Sequence, residues 1–299
     1  MKVLVTGGAG FIGSYIADEF STRGHNVTVF DLHESPWRNP DHEMIIGDIT
    51  DPDAVDEAVK SHDLVFHLAA LADLNEAKTR PVDTWRINIG GTLNVLEACR
   101  KYEVSRFAFA STVYVYSRDG GFYRCSKQAC ESYIEEYGRR YGIKYTILRY
   151  GSLYGPRTDE SNGVYRLLKQ AIELGVIESG GTPDDVRNYI HARDAAALSV
   201  DALAEDFIGQ HLVLTGHDSL RMHDLFQMFE ELIGADIEVR YANSGSSRES
   251  YGHYSMTPYA YTPKPGKKLI ANPYVDLGQG LLELLEVIDR DNGFAERQR

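Results

Sequence analysis

The chain reads as an α/β protein built on a doubly wound parallel sheet, with a smaller α/β lobe towards its C-terminal end. Three observations predict this. Short apolar runs rich in Val, Leu and Phe alternate with longer segments of helical period from Lys2 to about Tyr150, the mark of repeated strand–helix–strand units. A glycine-spaced turn, VTGGAGFIG at 5–13, follows the first run directly and opens a helix. Beyond LRYGSLYGPR at 148–157 the alternation loosens and Gly, Pro and Tyr become denser, which marks a change of lobe.

The expected strands are Lys2–Thr6, Asn26–Asp31, Glu43–Gly47, Leu64–Leu68, Phe107–Ser111 and Lys144–Arg149, with helices between most of them. Right-handed crossovers wind such a series into one sheet. A strand-like RNYIH at 187–191, a helix near Ala192–Ala204 and a strand at His211–Leu214 are expected to return to the first lobe. The domains are then 1–155, rejoined by 187–215, and a second lobe within 156–299. That lobe takes the Tyr/Pro/Gly-rich 243–266 and a final helix from about Gly280. No internal repeat is visible.

At 299 residues, 25% charged and 43% hydrophobic, the composition is that of a folded soluble protein. A formal charge of −13 argues against a broad nucleic-acid footprint, which needs a basic surface, though not against a local basic pocket for one diphosphate. Cys99, Cys125 and Cys130 are odd in number, lack metal-ligand spacing and fall in helical patterns. They read as reduced thiols, and no metal site is expected. The first strand begins without a charged, cleavable leader, and no apolar run approaches the roughly 18–20 residues that span a bilayer. A cytoplasmic protein that does not enter the membrane is expected.

Gly7, Gly10 and Gly13 stand where a strand turns into a helix. Glycine lets that turn close and lets backbone N–H groups, with Phe11 and Ile12 opening the helix, approach a pyrophosphate. Asp31 ends the second strand at the distance where a carboxylate accepts from both ribose hydroxyls and repels a 2′-phosphate, favouring NAD over NADP. The other reading of Asp31 is a loop residue that stops the strand, and Arg38 nearby leaves NADP open. In GDITD at 47–51, Asp48, with Ile49 beside it, can face the adenine, or Asp51 serves only as a helix cap.

These glycines, with HLAA at 67–70 and NIGGT at 88–92, resemble the extended short-chain dehydrogenase/reductases, in particular their nucleotide-sugar epimerase and dehydratase branch, over residues 1–215. The resemblance implies a Rossmann-type first domain binding NAD, with Leu68, Ala69 and Ala70 in the fourth-strand cofactor segment and Asn88 as the structural Asn. His67 reads as a core histidine and is given no chemistry.

Tyr123 and Lys127, in GGFYRCSK at 120–127, are four apart and share a helix face. The spacing alone is nearly uninformative. In the family it is the YxxxK pair, with a Ser or Thr four residues before the Tyr of a V-Y-G element; here that position is Thr112, with Ser111 as a neighbour able to substitute. A tyrosine ionises near pH 10, so base work near neutrality asks for a shift of about 3 units, roughly 4 kcal/mol. The ammonium of Lys127 and a positive nicotinamide ring could provide it. The family's dehydratases carry an Asp-Glu pair after that Thr and its decarboxylases a Glu before V-Y-G, where this chain has Val113 and Tyr114. The loop SRDGGF at 117–122 is shorter than in the familiar sugar epimerases.

LRYGSLYGPR resembles the family's LRYxNxYGP, placing Tyr150 at the cofactor and Ser152 where an Asn often meets substrate. RNYIHARD at 187–194 resembles the element whose Arg binds the diphosphate, here Arg187; otherwise Arg187 is an exposed strand-end cation. Arg248 falls near a second diphosphate position in poorly matched surroundings, the tyrosines at 251, 254, 259 and 261 either stack on a ligand or pack a loop, and DLGQGL at 276–281 has no assigned role. The implied activity is an NAD-dependent 4-epimerase of a nucleotide sugar, a UDP-hexose first; envelope polysaccharide synthesis, the commoner setting for such enzymes, and sugar catabolism both stay open. The alternatives are a C4 dehydrogenase or 4-ketoreductase using the same residues, and a non-catalytic dinucleotide sensor. A homodimer through the helices around 81–102 and 123–141 is implied as well.

Overall fold

The structure, a computed structural model, describes residues 1–117, 120–180, 182–217, 219–241 and 265–292. The chain divides into two compact units. The first comprises Met1–Tyr150, Ala195–Leu214 and a third segment that includes Lys267–Leu269.

In this unit β1 (Lys2–Thr6), β2 (Asn26–Asp31), β3 (Glu43–Ile46), β4 (Leu64–His67), β5 (Arg106–Thr112) and β6 (Tyr145–Tyr150) alternate with helices α1 (Phe11–Thr22), α2 (Pro52–Val59), α3 (Leu74–Thr79), α4 (Pro81–Thr84), a π-helix at Trp85–Gly90, α5 (Gly91–Lys101) and α6 (Gly121–Tyr141). Every residue of β4, β5 and β6 is buried. Parallel strands covered on both faces are mostly apolar rather than alternating, so LVFH and FAFA read as continuous runs, while Arg106, Thr146 and Arg149 are buried polar residues within β5 and β6. All pairings in the sheet are parallel, in the order β13-β10-β6-β5-β4-β1-β2-β3, where β10 is Gln210–Leu214 and β13 is Lys267–Leu269. The order reverses between β1 and β4. In doubly wound sheets ligands bind outside the carboxyl ends of the strands at that reversal.

The second unit contains β7 (Ser152–Tyr154), α7 (Gly163–Leu174), β8 (Val176–Ser179), β9 (Val186–His191), β11 (Ser219–Arg221), α9 (Met222–Ile233), β12 (Glu238–Tyr241) and α10 (Leu277–Asn292). It has its own core, in which Leu168, Ile177, Phe226, Phe229, Leu281 and Leu284 are buried. Its strands form a three-stranded sheet in the order β11-β9-β7 and a β12-β8 pair.

Three expectations are corrected by this architecture. The strand at 187–191 does not rejoin the first unit, because it pairs with β7 and β11 in the small sheet. The chain re-enters the first unit at Ala195, within α8 (Ala192–Asp201). The boundary after the sixth strand lies at Tyr150 rather than 155. The final helix starts at Leu277, three residues earlier than its sequence pattern indicates.

Candidate active site

The turn after β1 has no room for side chains at Gly7 and Gly13, and at Gly8 a Cβ would stand 2.9 Å from Val29 Cγ1. Gly7 has φ +74°, and a Cβ on it would stand 2.6 Å from the Ala69 amide nitrogen; on Gly13 it would stand 2.1 Å from the Gly7 carbonyl oxygen. Gly10 is different, since its nearest neighbour would be that same oxygen at 3.3 Å. The protein alone barely constrains it, so a ligand approaching the backbone is the stronger reason for a glycine there. Gly10 is also the N-cap of α1, and no side chain among the described residues caps the helix. The first-turn N–H groups at Phe11, Ile12 and Gly13 are thus arranged to take an anion. Asp31 closes β2 with one carboxylate oxygen accepting from the Ala9 N–H (2.9 Å) and the other from the Leu32 N–H (2.7 Å). A glycine cradle beside a fixed carboxylate fits a dinucleotide pyrophosphate and ribose.

The second wall comes from β4. The Leu68 and Ala69 N–H groups donate to the Thr6 carbonyl, which carries Leu68, Ala69 and Ala70 alongside the glycine turn. His67 is a core residue: Nδ1 lies 2.6 Å from Thr6 Oγ1 and Nε2 lies 3.0 Å from Thr92 Oγ1. Thr92 donates its own proton to the Asn88 carbonyl, so it accepts from Nε2–H, and the Thr6 hydroxyl can donate to the bare Nδ1 of a neutral ring. Burial, reinforced by the Lys127 charge, pushes the imidazole down to about 3. Asp48 is exposed and accepts from the Thr50 N–H (2.8 Å), while Asp51 caps α2 through the Asp53 and Ala54 N–H groups. Ile49 turns its side chain onto Gly91, and its carbonyl accepts from Asn94 Nδ2 (2.9 Å). Asn88, inside the π-helix, holds Leu71 through both N–H and C=O and donates to Ser126 Oγ (2.9 Å). Ser126 in turn donates to the Tyr123 carbonyl, which ties the first turn of α6 to the cofactor wall.

β5 delivers Thr112 and α6 delivers Tyr123 and Lys127. Thr112 Oγ1 accepts from the Tyr114 N–H (3.2 Å), capping the 3-10 turn Val113–Tyr116 and leaving its own proton to donate. Lys127 is buried. Its Nζ donates to the Ala110 carbonyl at 2.8 Å, lies 4.6 Å from the centre of the Phe109 ring and 5.7 Å from that of Tyr123. Burial pushes the ammonium down to about 8, opposed by Cys130 and Glu131. Tyr123 is half-buried, and burial, with Tyr114 and Cys130 as lesser causes, pushes its hydroxyl up. The protein by itself therefore opposes ionisation of the tyrosine.

Two expected cofactor residues have their hydroxyls committed to the protein. Ser111 donates to Glu131 (2.5 Å) and is buried, and the buried Tyr150 hydroxyl shares a hydrogen bond with Ser199 (2.6 Å). Ser111 cannot stand in for Thr112, because successive strand side chains point to opposite faces. In the second unit Ser152 opens β7, and the exposed Arg187 on β9 makes no hydrogen bond or ion pair among the described residues. Arg248 and the tyrosines at 251–261 lie outside the described residues. Sequence reasoning missed Ser126 and Glu131; the latter follows Lys127 by four on the same helix face, which was the available signal.

Comparison with known proteins gives the family and the fold. The model of the NAD dependent epimerase/dehydratase family matches residues 3–214. A Methanocaldococcus jannaschii protein, provisionally named a UDP-glucose 4-epimerase, is 28% identical, covering 97% of this chain and 99% of its own. A UDP-N-acetyl-alpha-D-glucosaminuronate decarboxylase of Bacillus cytotoxicus is 29% identical over 80% of this chain and 82% of its own. The crystal structure of UDP-glucose 4-epimerase from Thermotoga maritima with UDP-glucose superposes with a TM-score of 0.82 at 26% identity, covering 97% of this chain and 99% of that one.

Proposed function

Because this chain belongs to the NAD dependent epimerase/dehydratase family, we propose that it is an NAD-dependent nucleotide-sugar 4-epimerase acting on a UDP-hexose. The observation that carries the reading is the Thr112, Tyr123 and Lys127 set standing without a carboxylate in the turn 113–116. Elimination or decarboxylation asks for a further acid or base beside the sugar; removal and return of one hydroxyl proton does not.

Bound NAD supplies the hydride acceptor and a positive ring beside the tyrosine. Tyr123 takes the proton of the C4 hydroxyl while Thr112, whose lone pair already receives the Tyr114 N–H, donates to that oxygen and orients it. Lys127 spends one proton on the Ala110 carbonyl and has two left for ribose hydroxyls. With its ammonium falling near 8, it is charged at neutral pH and favours the tyrosinate that burial opposes. After the 4-keto sugar has turned over in the site, Tyr123 returns the proton to the other epimer. Gly7, Gly10, Gly13 and Asp31 hold the cofactor in this reading, with Arg187 on the substrate diphosphate and Ser152 beside the sugar.

The test is incubation with a panel of UDP-, GDP- and dTDP-sugars and NAD, following product identity and reduced-nicotinamide absorbance together. Interconversion of C4 epimers without net NADH is expected. Stoichiometric NADH with a released keto sugar would overturn the epimerase in favour of a dehydrogenase. We also infer a homodimer, supported by Val82, Trp85, Tyr133 and Tyr141 standing exposed on α4, the π-helix and α6; a monomeric mass in sedimentation at micromolar concentration would refute it. Three free thiols support a reducing, cytoplasmic setting. No helix among the described residues is long and apolar enough to cross a membrane.

A further inference from the structure

The most deeply buried cation in the first unit does not belong to the reacting set. Arg149, on β6, is fully buried, and its partner Glu131, on α6, is 1% exposed. Nε donates to Glu131 Oε1 (3.0 Å) and Nη2 to Oε2 (2.6 Å), a two-point grip that fixes both groups in plane. Nη2 also donates to His211 Nδ1 (2.9 Å), and Nη1 donates to the Tyr116 hydroxyl (2.5 Å). Two further donors join the cluster: Ser111 Oγ gives its proton to Glu131 Oε1 (2.5 Å), and the Gly266 N–H donates to the Tyr116 oxygen (2.9 Å).

A buried ion pair is a poor source of net stability, because desolvation offsets most of the attraction; its better-attested use is to specify one arrangement. The arrangement specified here is legible from who is held. Ser111 immediately precedes Thr112. Tyr116 ends the 3-10 turn that Thr112 caps. Glu131 lies one helical turn beyond Lys127, on the same buried face of α6. β5 thus reaches Arg149 through Ser111, next to Thr112, and α6 through Glu131, four positions beyond Lys127 and eight beyond Tyr123. We propose that Arg149 is a positioning residue which, through Glu131, Ser111 and Tyr116, sets the spacing between Thr112 on the strand and Tyr123 and Lys127 on the helix. The proposal rests on the reading of those three as the reacting set.

Lysine at 149 would keep the charge but lacks the planar fork, so it cannot hold both Glu131 oxygens and Tyr116 at once. Displacements of about 1 Å in reacting groups cost on the order of 100-fold in rate. The expected result for Arg149→Lys is a kcat lower by about that factor, with the KM of the sugar within about threefold of wild type and NAD affinity unchanged. Tyr116→Phe removes only the hydroxyl and should lower kcat by about tenfold, an intermediate loss for one of the tethers. Crystal structures of the two variants should show the Thr112 Oγ1 to Lys127 Nζ distance altered by about 0.5 Å or more, the tolerance of a productive site. If both variants lose melting temperature yet keep wild-type kcat per folded molecule and the wild-type distance, the cluster is structural only and the proposal fails. Should Arg149→Lys not fold, Tyr116→Phe decides alone by the same two readouts. The distance is measured without turnover, so a wild-type protein that converts no nucleotide sugar would sink the functional reading, while an unchanged distance in the variants would sink this one.

Discussion

The carboxyl ends of β1, β4 and β5 and the small sheet of the second unit treat their polar groups in opposite ways. At the former, Gly13 would clash with backbone if it gained one carbon, His67 is bonded at both ring nitrogens, and Lys127 is buried on a carbonyl. On β9, Arg187 stands exposed with its guanidinium uncommitted among the described residues. On the proposed reading the difference follows from what each has to do. Proton and hydride transfer need groups whose geometry exists before the ligand arrives, whereas a recognition side chain can stay solvated and be ordered by the ligand at some entropic cost.

Acid should separate the two regions by degree, because each buries a neutral histidine but His67 is pushed down further than His191. His67 falls to about 3 and His191 to about 4, both chiefly by burial. The unfolded chain takes up the proton near 6.5, so between that value and the folded one it binds more protons than the native state, and stability falls as pH falls. The loss is on the order of 5 kcal/mol for His67 and about 3 kcal/mol for His191 at 1.36 kcal/mol per unit. Melting His67→Asn and His191→Asn against pH should show a shallower decline below about 6.5 than wild type, more so for the first. Equal slopes in all three proteins would show that neither histidine is held neutral in advance.

Tyr123→Phe comes next. Loss of the only proton acceptor assigned to the reaction should lower kcat by about 10³-fold with sugar and NAD still bound; unchanged turnover with unchanged binding removes the catalytic assignment. Then the glycines: Gly13→Ala should cost about 3 kcal/mol in denaturant unfolding, since the carbon meets backbone rather than a flexible side chain. Gly10→Ala, with its nearest neighbour at 3.3 Å, should leave unfolding nearly unchanged and weaken NAD. If Gly10→Ala destabilises the protein as much as Gly13→Ala, the cradle is a folding device and not a ligand site.

The same division explains how much of the molecule is legible in its sequence. Lys2–Thr6 and Asn26–Asp31 match to the residue because their burial is continuous and their ends carry Gly or Asp. The strand at Lys267–Leu269 is invisible there: three residues, two of them lysines, join the sheet only because β10 offers a free edge. The destination of RNYIH is misjudged for a related reason. Its pattern says strand, but which sheet receives a strand is decided by partners far along the chain. Thr112, Tyr123 and Lys127 are picked out by the family resemblance, the spacing of the last two being nearly uninformative alone. The commitment of Ser111 to Glu131 is not legible, since a serine beside a threonine at a strand end differs from it only in the face it points to.

Arg187 carries the smallest effect and the clearest test of the open region. Its guanidinium has no protein partner among the described residues to lose, so Arg187→Ala should leave unfolding within about 0.5 kcal/mol of wild type. If it meets a diphosphate, the charged hydrogen bonds given up are worth about 1.5–3 kcal/mol. That predicts a KM higher by roughly 10- to 100-fold with kcat little changed, the signature of binding lost equally from ground and transition states. Arg187→Lys should recover part of it, a point charge replacing the fork. A fall in kcat instead would mean that this edge is as prearranged as the strand ends, and the contrast between the two regions would have to be abandoned.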